Sequence, residues 1–280
     1  MLDKRLNAFR NDLADMRLQG LVGSKVFREG VEMQMLAPLA TLHRAPAYDA
    51  PQDTQILFGE PVRVFDVSEG WAWVQLQRDR YVGYARHEML NAKVHVATHK
   101  VTVPSTMIYT KPSIKTQPAQ FLPLNAELTI AALQDDFIEL ATGGFVFAKH
   151  LQQKPTDFVS VAEQFLHTPY YWGGKSYHGM DCSGLVQTSL HACGVQCPRD
   201  TDMQEKNLGT KIARENLQRG DLIFWSGHVG IMQNATTLLH ASGHQMVVVS
   251  EPLARVETRT KAGGKEISSI SRFTILEGST

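Results

Sequence analysis

A chain of 280 residues, 43% of them apolar, is long enough for two or three domains and too apolar to be disordered. Lys plus Arg and Asp plus Glu both number 28, so the basic excess of a nucleic-acid binder is missing. Three cysteines make no disulfide framework, no window approaches the ~18 apolar residues of a membrane span, and charges run through the first twenty residues where a secretory signal would be apolar. The expected setting is the reduced cytoplasm, with no nucleic-acid or membrane partner.

Residues 1–30 form an arm in this reading. Leu2, Leu6, Phe9, Leu13, Met16 and Leu18 recur at near-helical spacing, which predicts one short helix packed on a neighbouring domain. Residues 31–92 change character. Runs at 33–36, 61–67 and 71–76 are rich in β formers and separated by Pro, Gly and Asp, the pattern of a small barrel or sandwich. Residues 95–153 repeat that character, with candidate strands at 101–103, 107–109, 128–133 and 137–140. Tyr84-Ala85-Arg86-His87 closes the first unit and Phe147-Ala148-Lys149-His150 closes the second, 63 positions later, a weak internal repeat. His87 and His150 are expected to pack at barrel ends. Two tandem barrels fit this spacing, and they resemble bacterial SH3-like domains.

From residue 157 the pattern shifts again. Phe158, Val161, Ala162, Phe165 and Leu166 make a helical stripe, and residues 181–193 predict a second helix stopped by Gly194. Strand candidates follow at 221–225, 229–232, 238–240 and 247–250. Helices first and consecutive strands afterwards is an α+β order.

The chemistry concentrates in this last segment. Pro169-Tyr170-Tyr171-Trp172-Gly173-Gly174 is followed, after seven residues, by Cys182-Ser183-Gly184. A thiol at a helix start faces unpaired N–H groups and the positive end of the helix dipole, which favour thiolate, the nucleophilic form. Gly227-His228-Val229-Gly230 supplies a base at a strand edge. His240, on the next strand, can stand beside His228 and accept its hydrogen bond, the third-group role of a triad. A carboxylate aimed at the sulfur would raise its pKa, so Asp181 is expected to point away, into a substrate cleft. Cys193 and Cys197 lack the second ligand pair of a structural zinc site and are expected to be buried small hydrophobes.

Taken in order, the Tyr170–Gly174 and Asp181–Val186 blocks, Pro198-Arg199-Asp200-Thr201, Gly220-Asp221-Leu222-Ile223-Phe224, His228-Val229-Gly230-Ile231 and Leu239-His240-Ala241 resemble the NlpC/P60 cysteine peptidases over residues 157–275. The resemblance implies a multidomain chain: two small SH3-like all-β barrels, then an α+β papain-like catalytic domain at 157–280. With such barrels in front, the chain is similar to γ-D-glutamyl-L-diamino acid endopeptidases that process murein peptides. It implies a triad of Cys182, His228 and His240, with the Tyr170 hydroxyl helping to stabilise the oxyanion. It further implies that Asp181, with Glu60 and Tyr81 of the first barrel, reads the ammonium of a free amino-terminal L-alanine; Tyr84 competes with Tyr81 for that match. Ser183 and Thr201 would line the dipeptide side, Thr201 keeping the hydroxyl of the serine common in the family. The implied substrate is a free murein tripeptide or tetrapeptide, cut after L-Ala-γ-D-Glu in cell-wall peptide recycling, with no metal or other cofactor. Diaminopimelate and lysine remain open as the diamino acid. A wall-binding protein with an inert peptidase fold, and a thiol amidase or acyltransferase, are the alternatives.

Overall fold

The computed structural model describes residues 2–152 and 154–273, arranged as two compact units, Met1–Gln152 and Gln153–Thr280. Among the described residues no helix is long and apolar enough to cross a membrane.

The first unit holds two larger antiparallel sheets with separate cores. One orders its strands Gln52–Leu57, Leu39–His43, Val82–Arg86, Trp71–Leu76, Pro61–Ser68, Val31–Met35 and Leu90–Asn91. Met35, Leu42, Ile56, Val62, Val74 and Ala85 fill its core, each large aliphatic side chain contributing roughly 1.5–3 kcal/mol on burial. The other sheet runs Pro118–Pro123, Ser105–Tyr109, Phe145–Phe147, Phe137–Leu140 and Ile130–Gln134 over Ile108, Leu122, Leu128, Ile138 and Val146. The first five strands of one sheet and the five of the other follow the same spatial order. In both, the third strand leads into a 3-10 turn, His87–Met89 or Ala148–Leu151, which is what the Tyr84 and Phe147 repeats record.

The expected helix in the arm is not found: among described residues 2–30 there is no α-helix. Leu13–Asp15 instead pairs in parallel with Val26–Arg28, and Asp15 accepts the Arg17 N–H to cap a single 3-10 turn. Ala8 and Leu13 pack against Phe65 and Trp73, while Arg10 lies over the Trp73 ring and bonds Asp66. An isolated short helix is marginal in water, so burial on the first sheet outweighs local spacing. Leu2 and Met16, members of the apolar stripe, are left exposed.

The two sheets are joined by ions. Arg78 is paired with Glu60 at 3.0 Å and with Glu127 at 2.8 Å, and Lys100 approaches Glu127 at 3.7 Å. Gly59 fits there because its φ is +79° and a Cβ would lie 1.9 Å from the Glu127 carbonyl oxygen. Glu60 is 1% exposed, so its charge depends on Arg78. Arg78→Met should therefore destabilise the full chain by about 3–5 kcal/mol in denaturant unfolding. Adding Glu60→Gln should restore part of that loss; no loss in the single variant would remove the ion pair from the account.

In the second unit, α1 (Phe158–Glu163) and α2 (Cys182–Ala192) pack together, and α2 also lies against the sheet. Gly194 follows α2 with φ +76°, as a helix stop requires. The six-stranded antiparallel sheet orders Thr210–Lys211, Ile267–Arg272, Asp221–Trp225, His228–Met232, Thr237–Ser242 and Val247–Pro252. Outside the sequence expectation lie α3 (Thr201–Asn207), α4 (Leu253–Ala262) and, among the strands of this sheet, Thr210–Lys211 and Ile267–Arg272. In α4 only Leu253 and Val256 are buried, one apolar pair with no longer stripe to reveal it.

Candidate active site

The site begins with a helix cap. Asp181 precedes α2 in extended conformation, and its Oδ1 accepts the Gly184 N–H at 2.6 Å. Its other oxygen accepts the Gly173 N–H at 2.7 Å, which ties the aromatic-glycine loop to the helix start. Arg199 grips the same carboxylate with both arms, at 3.0 and 2.7 Å. Gly184 permits the close contact: a Cβ there would stand 2.2 Å from the Gly174 carbonyl oxygen. This is the physical content of the glycines on either side of the motif.

Asp181 is 7% exposed, and both of its oxygens accept from backbone N–H groups and Arg199. A buried carboxylate is stable only when paired, and the cap supplies the pairing. Ser183 belongs to the same knot, accepting from Arg199 at 2.8 Å and donating to Asp181 at 3.3 Å.

Cys182 follows as the first residue of α2, 7% exposed. Its sulfur lies 3.9 Å from the Thr201 hydroxyl, and the Val229 backbone N–H is among the groups that favour its ionised form. Val229 follows His228, in the strand His228–Met232 that packs against α2. Burial pushes the thiol up to about 11 and Asp181 adds to it, while Val229, Thr201 and Arg199 pull the other way. Burial and the neighbouring carboxylate thus oppose the thiolate that the helix start favours, and a base that takes the proton during attack offsets them. The Tyr170 hydroxyl is held protonated, first by burial and then by the proximity of Cys182 and Asp181.

The sheet delivers the imidazoles. Trp225 is paired with His228, Ile231 with Leu239, and His240 with Val249. Strand alternation then puts His228, His240 and Glu251 on one face, stepping across three adjacent strands. Nε2 of His228 lies 2.7 Å from Nδ1 of His240, and Nε2 of His240 lies 2.9 Å from Oε1 of Glu251. Arg259 of α4 pairs with Glu251 at 2.6 Å. Burial lowers the proton affinity of both histidines. Arg259, more than any other group, holds the Glu251 carboxyl down at about 2.

Cys182, His228, His240, Tyr170, Thr201, Asp181 and Ser183 all belong to the second unit. Glu60 and Tyr81 belong to the first, where Glu60 bonds the Leu57 N–H and Arg78, and Tyr81 is buried in the core beside Val62 and Leu76. Arg199, Glu251 and Arg259 were not assigned roles from sequence. Arg199 lies in the Pro198–Thr201 motif, and Glu251 carries a fainter signal, a carboxylate continuing an apolar strand.

With this geometry in place, the comparisons are specific. Residues 167–261 match the NlpC/P60 family and residues 42–90 match the bacterial dipeptidyl-peptidase Sh3 domain. The chain thus carries an NlpC/P60 peptidase domain together with that SH3 domain, and it is an enzyme. Dipeptidyl-peptidase 6 of Lysinibacillus sphaericus is 29% identical over 261 residues, covering 81% of this chain and 95% of that protein. A γ-D-glutamyl-L-lysine dipeptidyl-peptidase of Bacillus cereus is 29% identical over 204 residues, covering 64% of this chain and 61% of that protein. The crystal structure of an NlpC/P60 family protein from Bacillus cereus shares the fold, with a TM-score of 0.74 at 22% identity over 86% of this chain and 99% of the other.

A pH profile tests the electrostatics. An imidazolium cannot accept the thiol proton, and burial lowers the proton affinity of His228 and His240. The acid limb of kcat/KM should therefore fall below the ~6.5 of free imidazole. A limb at or above that value would show that the two rings are not desolvated as found.

Proposed function

We propose that this enzyme is a cysteine peptidase that hydrolyses the bond between γ-D-glutamate and a diamino acid in free murein peptides, releasing L-Ala-γ-D-Glu. The observation that carries the chemistry is the 2.7 Å contact of His228 with His240, on a strand that packs against the helix starting with Cys182. In this reading Cys182 attacks the γ-carbonyl while His228 takes its proton. The tetrahedral oxyanion is met by the Cys182 backbone N–H, which the helix start leaves without an intrahelical partner, and by the Tyr170 hydroxyl. Collapse returns the proton from His228 to the departing amine and leaves a thioester. Water, activated by the same imidazole, then hydrolyses it. His240 orients His228, and Thr201, 3.9 Å from the sulfur, borders the acyl side.

The substrate half of the proposal is supported by the names of the relatives. Two are γ-D-glutamyl-L-lysine dipeptidyl-peptidases, which makes lysine the first diamino acid to try. Release of a dipeptide requires an unblocked amino terminus, which peptides still joined to glycan lack. Turnover of free peptides fits cytoplasmic recycling of wall fragments. A papain-like catalytic domain behind two SH3-like barrels, the second being residues 95–153, completes the reading.

Purified protein incubated with L-Ala-γ-D-Glu-L-Lys, its diaminopimelate counterpart and the N-acetylated peptides should cleave the free peptides and leave the acetylated ones intact. Cys182→Ala should have no turnover above background. Equal rates on free and acetylated peptides would remove the dipeptidyl-peptidase reading. Full turnover by Cys182→Ala would remove the nucleophile.

A further inference from the structure

The line of imidazoles does not end at His240. We propose that Glu251 is a positioning residue, whose carboxylate selects the tautomer of both histidines and so presents an unprotonated nitrogen of His228 to the thiol. The inference rests on the assignment of Cys182 and His228 as nucleophile and base.

The argument is one of donors and acceptors. Glu251 accepts from Arg259 through both oxygens, at 3.1 and 2.6 Å, and from the Gln245 side-chain amide at 3.2 Å. Those donors keep it a carboxylate, which can only accept. The nitrogen of His240 that lies 2.9 Å away must therefore carry a proton, or two lone pairs would face each other in a buried site. A neutral His240 with its proton on Nε2 has a bare Nδ1. That bare nitrogen sits 2.7 Å from Nε2 of His228, which must then be the donor. The proton of His228 is thus held on Nε2, and its Nδ1 keeps the lone pair needed to receive the sulfur's proton. A doubly protonated His240 would escape this logic, but burial opposes it and so does the nearby Arg259. Geometry supports the same route: His228, His240 and Glu251 lie on rigid neighbouring strands, so none of the three can drift out of line.

The charged groups around the line give the role a sign. His228 faces His240, Arg259, Lys265 and Glu251; Glu251 faces Arg259 and His240. Glu251 favours a proton on the imidazoles and Arg259 opposes it. Removing the one charge or the other should shift their titration in opposite directions, which loss of packing alone would not do.

The test uses the full-length protein and needs no peptide. Carbamidomethylation of Cys182 by iodoacetamide is followed against pH by peptide mass spectrometry, with buried Cys193 and Cys197 as internal references. Ring tautomers are read from histidine 15N shifts. Glu251→Gln can turn its amide to donate to His240, so it no longer selects a tautomer. It should slow Cys182 labelling at neutral pH by about 10- to 100-fold, less than when a carboxylate directly holding the catalytic histidine is amidated. Its acid limb should move to lower pH, and both rings should show mixed tautomers. On a free γ-D-glutamyl-lysine peptide kcat should fall with KM little changed. Arg259→Met, on the partly exposed helix α4, keeps the carboxylate and should move the limb to higher pH with the tautomers unchanged. Wild-type labelling and tautomers in Glu251→Gln, or limbs that move together, would overturn the proposal. A wild-type protein inert toward every γ-D-glutamyl peptide would sink the substrate reading alone, because the labelling result does not depend on it.

Discussion

The buried pair between Asp181 and Arg199 holds the catalytic unit in register. Arg199 is 1% exposed and its fork takes both carboxylate oxygens, which at the same time cap α2 and accept the Gly173 amide. Three separate pieces of chain therefore meet at one carboxylate: the aromatic-glycine loop, the helix that starts with the nucleophile, and the segment that leads into α3. Such a pair adds little net stability, but breaking one side strands a charge in the interior, so the geometry is held firmly. The arrangement also has a chemical consequence. The carboxylate that anchors the helix stands next to the sulfur and opposes its ionisation, joining burial in keeping the thiol protonated.

A nucleophile anchored this way depends on its base, and the sheet answers that need. Burial makes the two imidazoles reluctant to hold an extra proton, so they rest neutral and able to accept one. Charge is redistributed as the sulfur attacks. Preorganised groups are worth most at that moment: the Thr201 hydroxyl 3.9 Å from the sulfur and the Nε2 contact behind His228. Building the chain across three adjacent strands fixes it through the backbone ladder, independent of any mobile loop.

Legibility in the sequence followed the range of the interactions involved. The strand Asp221–Trp225 and the helix from Cys182 to the Gly194 stop were readable because apolar runs and turn residues act over a few positions. The paired His87 and His150 blocks pointed to a duplicated topology from only four matched positions. The arm was misread because its apolar spacing imitated a helix, while burial of Ala8 and Leu13 against Phe65 and Trp73 decided otherwise. Around Asp181 the motif shows that a carboxylate is present and gives no sign of the arginine 18 positions on that pairs with it. Glu60, seen in the sequence as a candidate binding group, is met in the structure by Arg78 from beyond the next two strands.

By itself the sequence determined which chemical groups the molecule commands: a cysteine at a helix start, histidines on successive strands, and the ordered blocks of a peptidase family. Those are local properties of side chain and spacing. Tertiary structure alone decided which groups share a proton and which are already spent on one another. Whether a buried carboxylate serves as a cap, an ion-pair partner or the end of a proton line depends on donors brought from distant parts of the chain. Desolvation, which sets how readily each group takes or gives its proton, exists only once the interior has formed.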